Sequence, residues 1–134
     1  MLRPGNPEMI APDRFDHLVL TVADIDRTVA FYSDALGMEA ETRNGRTALK
    51  FGRQKINLHQ RGHEFEPRAL RPTPGSGDFC LIATTPLADV VAHLQDRGVA
   101  VELGPVDREG ALGPMQSVYV RDPDTNLVEI AVYG

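Results

Sequence analysis

A duplicated order of hydrophobic periodicities constrains this chain more than any other feature. In FDHLVLTV, Leu18, Leu20 and Val22 fall on one face of a strand, and His17, Val19 and Thr21 fall on the other. Ile25, Val29, Tyr32 and Leu36 then recur at helical spacing, with Asp24 placed to cap the helix and Gly37 to end it. Three short strands are expected at about 38–43, 46–52 and 55–60, the Asn44-Gly45 pair marking a tight hairpin. Residues 61–76, rich in Pro, Arg and Gly, read as a linker. The order then restarts with a strand over 78–83. A second helix opens at Thr85 (cap) and Pro86 (first turn), carries Leu87, Val90, Val91 and Leu94 on its buried stripe, and closes at Gly98. Strands follow at about 99–103, 115–122 and 126–133. The sequence thus predicts an α+β fold, one domain over 1–134 made of two βαβββ modules: module one 14–60, linker 61–76, module two 77–134.

Laying the halves on each other pairs Asp16-His17 with Gly77-Asp78 and Leu58-His59 with Val128-Glu129, at offsets of 61 and 70. The nine extra residues of the second half are assigned to the Gly-containing loop 104–114, since loops absorb insertions at little cost. Strand parity then sorts the side chains. With Ile56, Leu58, Val128 and Ile130 beneath the helices, His17, His59, Asp78 and Glu129 occupy the opposite faces. Two imidazoles and two carboxylates suit one divalent transition metal: Ni, Zn, Mn, Fe or Co. Calcium is disfavoured by the two nitrogens. If Asp78 and Glu129 both ligate, their charges cancel that of the ion. Lys50, Asn57, Ser117, Tyr119 and Arg121 share the inward face. Asn57 and Tyr119 are expected to line a substrate site, and Lys50 and Arg121 to orient an anionic group of a small, oxygen-rich substrate. His63 and His93 have no matched partners and are expected to be solvated.

Composition removes other classes of function. Fourteen basic residues against nineteen acidic ones give a net charge of −5, which argues against nucleic acid as partner. No apolar run approaches the roughly 20 residues of a membrane span. The N-terminal MLRPGNPEMIAPDR lacks a signal-peptide core and reads as a loose leader, so a cytoplasmic location is expected. The single cysteine, Cys80, rules out an intrachain disulfide and is expected to be a small, partly buried filler.

FDHLVLTVADIDRTVAFYSDALGM closely resembles the opening βα unit of the vicinal oxygen chelate family, which includes glyoxalase I, bleomycin- and fosfomycin-resistance proteins and extradiol dioxygenases. SVYVRDPDTNLVEIAVY resembles the family's closing strands, with their Asp-Pro-Asp-x-Asn turn and glutamate ligand. KFGRQKINLHQRGHEFEP and PTPGSGDFCLI look like a subgroup of small glyoxalase-domain-containing proteins, some labelled virulence-associated. The resemblance spans about residues 14–133. It implies that the two modules curl into an open, cup-shaped eight-stranded sheet around a divalent metal, helices outside, with His17 and Glu129 as ligands. His59 and Asp78 depart from the pattern: glyoxalase I carries a carboxylate or amide where this chain has His59, and a histidine where it has Asp78. Thr125 also departs, standing where the family usually has glycine. A homodimer is implied, since family members commonly dimerise, sometimes by swapping modules so that ligands come from two chains.

The chemistry implied is chelation of two vicinal oxygens and stabilisation of the anion that forms. In a glyoxalase-type lyase or isomerase, Glu129 is the catalytic base and Asp78 its partner. Two alternatives stand beside it: a ring-cleaving dioxygenase with iron on His17, His59 and Glu129, and a binding or resistance protein that sequesters a small molecule without metal.

Overall fold

The computed structural model describes residues 9–134. The first eight residues of the expected leader lie outside the described residues, and the rest of it is irregular chain. The element order is β1 (His17–Val22), α1 (Ile25–Leu36), β2 (Glu39–Arg43), β3 (Arg46–Phe51) and β4 (Gln54–Gln60), then β5 (Asp78–Ile82), α2 (Leu87–Asp96), β6 (Leu103–Gly110), β7 (Gly113–Arg121) and β8 (Leu127–Tyr133). This is the expected βαβββ twice over. The eight strands form two mixed four-stranded sheets, ordered β1-β4-β3-β2 and β5-β8-β7-β6, and no ladder joins them among the described residues. In each sheet the first strand pairs in parallel with the last, as a helical crossover requires, and the remaining pairs are antiparallel.

The strand faces expected to lie beneath the helices do so. Leu20, Val22, Leu49, Ile56 and Leu58 of the first sheet and Val118, Val120, Val128 and Ile130 of the second are buried in one cluster with Tyr32, Ala35 and Leu94 of the helices. Asp24 caps α1 by accepting from the Arg27 amide (3.2 Å), and Gly37 ends the helix in the left-handed conformation. The halves are also tied by polar contacts. Tyr32 on α1 donates its hydroxyl to Asp122 Oδ2 (2.7 Å), the Ala23 amide donates to Asp124, and Arg97 pairs with Asp34 (2.8 Å).

Four expectations need correction. The second helix starts at Leu87 after Pro86, and no side chain caps it, so Thr85 is not its cap. Residues 99–101 are not strand, and the segment 104–114 is not an inserted loop. Instead β6 and β7 run as a long hairpin closed at Gly110 and Gly113. Gly104 sits in the irregularity that lets β6 stay on its partner. Its φ is +117°, and a Cβ there would come 2.5 Å from the Ser117 carbonyl oxygen. Cys80, finally, is exposed rather than a filler.

Candidate metal centre

The two parallel strand pairs are the frame of the site, and their registers define which residues correspond. In the first sheet His17 lies opposite Lys55 and Val19 opposite Asn57; in the second, Asp78 lies opposite Leu127 and Cys80 opposite Glu129. His17 and Asn57 are therefore diagonal neighbours on the open face of one sheet, as Asp78 and Glu129 are on the other. The residue matching Glu129 is Asn57, not His59, and the offset there is 72 rather than 70. Parity cannot detect a two-residue slip, because it returns every side chain to the same face. A finer signal was present: Asn57 lies between Ile56 and Leu58 as Glu129 lies between Val128 and Ile130.

The register does not bring His17 and His59 together. His59 lies opposite Thr21, four residues along β1 from His17. At about 3.3 Å per residue this puts the two backbones some 14 Å apart across the pair. Imidazoles projecting side by side from one face at that spacing cannot share an ion at the ~2 Å of a metal–nitrogen bond. Nor do the other expected ligands converge within one chain: among the described residues no three of His, Cys, Asp and Glu lie close enough to hold one ion.

Each half nevertheless carries the local preparation of a ligand set. His17 Nδ1 lies 2.9 Å from Asp16 Oδ2, an arrangement that fixes the ring and directs Nε2 away from that carboxylate. This hydrogen bond, more than any other influence, lowers the Asp16 carboxyl from its usual range. Ser117, fully buried on β7, donates to Glu129 Oε2 (2.6 Å). A histidine nitrogen, an amide oxygen and two carboxylates are together a fitting donor set for a divalent transition metal. Cys80 lies opposite Glu129, and partial desolvation, then the Glu129 charge and hydrogen bond, push its thiol up to about 11.

The expected anion clamp is less available than the sequence suggested. Arg121 makes a bidentate pair with Glu102 (3.0 and 3.1 Å) and donates to the Thr125 carbonyl. Lys50 lies 3.6 Å from Glu41. Both are on the open face, as parity required, but each already has a carboxylate. Tyr119, opposite Glu129, accepts from Arg108 Nε (2.9 Å). His63 is exposed, while His93 Nε2 lies 3.1 Å from the Asp34 carbonyl. Sequence reasoning missed Asp16, Arg46 and Phe65. Asp16 has a simple signal, a carboxylate adjacent to a candidate ligand; Phe65 has none, since only the fold of the linker brings it over β4.

The open faces of the edge strands β1 and β5 are partly uncovered, although Thr21 on β1 is buried. Val19, Cys80 and Ile82 are exposed on them, the two aliphatic side chains at 42% and 52%. Beside them a cleft of about 550 Å³ runs between β1, β5 and the linker, lined by Thr21, His59, Asp78 and Arg71.

Residues 14–130 match the family model described as the Glyoxalase/Bleomycin resistance protein/Dioxygenase superfamily. The chain is 56% identical over 122 residues to virulence protein STM3117 of Salmonella typhimurium, an alignment covering 90% of this chain and 85% of that protein. The crystal structure of that virulence protein superposes with a TM-score of 0.92 at 54% identity, covering 93% of this chain and all of the other. Glyoxalase domain-containing protein RDO1 of Mycosarcoma maydis is 55% identical over 119 residues, 88% of this chain and 67% of that protein. A lactoylglutathione lyase from Agrobacterium tumefaciens is more distant, at 27% identity and a TM-score of 0.69 over 90% of this chain and 94% of the other.

Proposed function

The chain belongs to the Glyoxalase/Bleomycin resistance protein/Dioxygenase superfamily, and from that premise we propose that it is a divalent-metal-dependent enzyme of glyoxalase type whose centre is shared between two chains. One observation carries the reading: His17 with Asn57, and Asp78 with Glu129, hold equivalent positions on two sheets, yet the four do not converge within one chain. A two-fold homodimer that sets the first sheet of one protomer against the second sheet of its partner assembles two complete sets. It also covers the partly uncovered faces of β1 and β5. His17 and Glu129 are the anchors of the set, Asp78 is the third ligand, and the Asn57 amide takes the position expected of His59.

When bound, the ion supplies an electrophile for two adjacent oxygens and stabilises the anion left by proton loss. Glu129 is the catalytic base, oriented by the Ser117 hydroxyl on Oε2, and it takes a proton and returns it. Asp78 is the second carboxylate of the shuttle. The substrate is small and oxygen-rich, and the reaction is a lyase or isomerase step. The dioxygenase reading is disfavoured, because its two-histidine, one-carboxylate set requires His17 and His59 on one iron.

The test is reconstitution of metal-stripped protein with Ni, Zn, Mn, Fe or Co in turn. The expected results are one ion bound per chain and metal-dependent exchange of the α-proton of a 2-oxoaldehyde hemithioacetal into D2O, both lost in H17A and the exchange lost in E129Q. Failure of every ion to bind stoichiometrically overturns the reading and leaves the metal-free binding protein in its place.

A further inference from the structure

His59, set apart from His17 by the register, stands at the wall of a second concavity. This cavity of about 270 Å³ lies on the open face of the first sheet, lined among others by Arg46, Lys55, Asn57, His59 and Phe65. Phe65, brought over the sheet by the linker, packs edge-on against the His59 ring, with centroids 5.5 Å apart. The Arg46 guanidinium lies on the Phe65 ring at 4.1 Å from its centroid. The lining holds three cations against one carboxylate, Glu41, and Glu41 is already paired with Arg43 (2.9 Å) and Lys50. Among the described residues neither Arg46 nor Lys55 has a carboxylate within ion-pair distance. Glu64 approaches His59, but its carboxylate is turned to the Gly62 amide (3.0 Å). An unneutralised guanidinium held over an aromatic ring, with a lysine beside it, is a receptor for a carboxylate.

We propose that this cavity binds a carboxylate-bearing arm of the substrate, with Arg46 as the anion receptor, Lys55 as the second charge, and Phe65 and His59 as an aromatic wall for the carbon skeleton. Its floor reaches Asn57, so an acid seated here extends its other oxygens toward the proposed metal position. The assignment therefore makes the substrate a small oxygenated acid, and it rests on the glyoxalase-type reading only for what lies at the far end of that acid. His59 becomes a specificity residue rather than a metal ligand.

The test uses metal-stripped, full-length protein and NMR shift titration with three probes: benzoate, phenylphosphonate and benzyl alcohol. Benzoate is expected to perturb Asn57, His59 and Phe65 signals at an affinity at least tenfold above that of benzyl alcohol. R46M is expected to weaken benzoate at least fivefold while leaving benzyl alcohol unchanged, and R46K to recover part of the loss. Arg46 is exposed on β3, so these variants should fold; the amide spectrum verifies it. Equal binding of benzoate and benzyl alcohol overturns the proposal. So do unchanged benzoate affinity in R46M, tighter binding of phenylphosphonate than benzoate, and shifts confined to the Arg71-lined cleft. Metal content measured separately in R46M should equal that of the parent. Because the titration needs no metal, failure of the metal reading leaves its outcome interpretable, and the converse also holds.

Discussion

Replacing Tyr32 with phenylalanine removes one oxygen from a buried contact that ties α1 of the first module to the β7–β8 turn of the second. Tyr32 is fully buried, and its hydroxyl donates to Asp122 Oδ2 at 2.7 Å. Asp122 is itself buried and accepts three further hydrogen bonds, from the Asp124 amide, the Asn126 amide and Asn126 Nδ2. Loss of a hydrogen bond to a charged acceptor costs about 1.5–3 kcal/mol, and the lower half applies here because Oδ2 keeps Asn126. Taking about 2 kcal/mol, and an unfolding entropy of roughly 2.1 cal/mol/K per residue, the melting temperature of Y32F should fall by about 7 °C. The effect also has a pH signature. Burial foremost, then the charge and hydrogen bond of Asp122, raise the Tyr32 phenol far above its ordinary value of 10.0. A raised pKa gives stability that is complete below the unfolded value and lost as pH rises above it, because the unfolded tyrosine ionises while the folded one does not. The gap between parent and Y32F should therefore be constant from pH 6 to 9 and narrow above pH 10. Thermal melts followed by circular dichroism across this range measure it. A shift under 1 °C, or a gap that widens at high pH, refutes the assignment of Asp122 as a hydrogen-bonding hub joining the halves.

Other predictions concern the site and its supporting turn. S117A removes the donor that orients Glu129, and, as with other partners of metal ligands, should weaken divalent-metal affinity 10- to 100-fold by chelator competition. D16A should act in the same direction through His17, and unchanged affinity in both variants would disprove their orienting roles. Thr125 is a β-branched residue at φ +67°, held by its amide bonding to the Asp122 carbonyl and by Arg121. T125G should therefore raise stability by about 1 kcal/mol in urea unfolding, and a loss of stability would show that these contacts outweigh the backbone strain.

Much of this architecture was legible because it depends on short-range periodicity. The strand His17–Val22 and the helix Ile25–Leu36 have one apolar stripe each, and Asp24 and Gly37 mark the helix ends as expected. The β6–β7 hairpin was not legible. Its turn at 111–112 lies in a glycine-containing run that reads as a loop, and Gly104 is dictated by an approach to Ser117 from another strand. For the site, parity placed His17, Asp78 and Glu129 on open faces, but it had no power over a two-residue slip, and so it matched His59 rather than Asn57 to Glu129. The charge partners that occupy Arg121 and Lys50 come from neighbouring strands, Glu102 and Glu41, and no pattern along one strand reveals them.

The shared centre is tested most directly by complementation between defective chains. H17A and E129A homodimers should each bind no metal. In a purified heterodimer of the two, one interface receives both defects, and the other receives His17 from one protomer and Glu129 from its partner. That heterodimer is predicted to bind one divalent ion per dimer and to regain metal-dependent proton exchange. A heterodimer that binds no metal, or homodimers that retain it, would contradict a centre assembled from the first sheet of one chain and the second sheet of another.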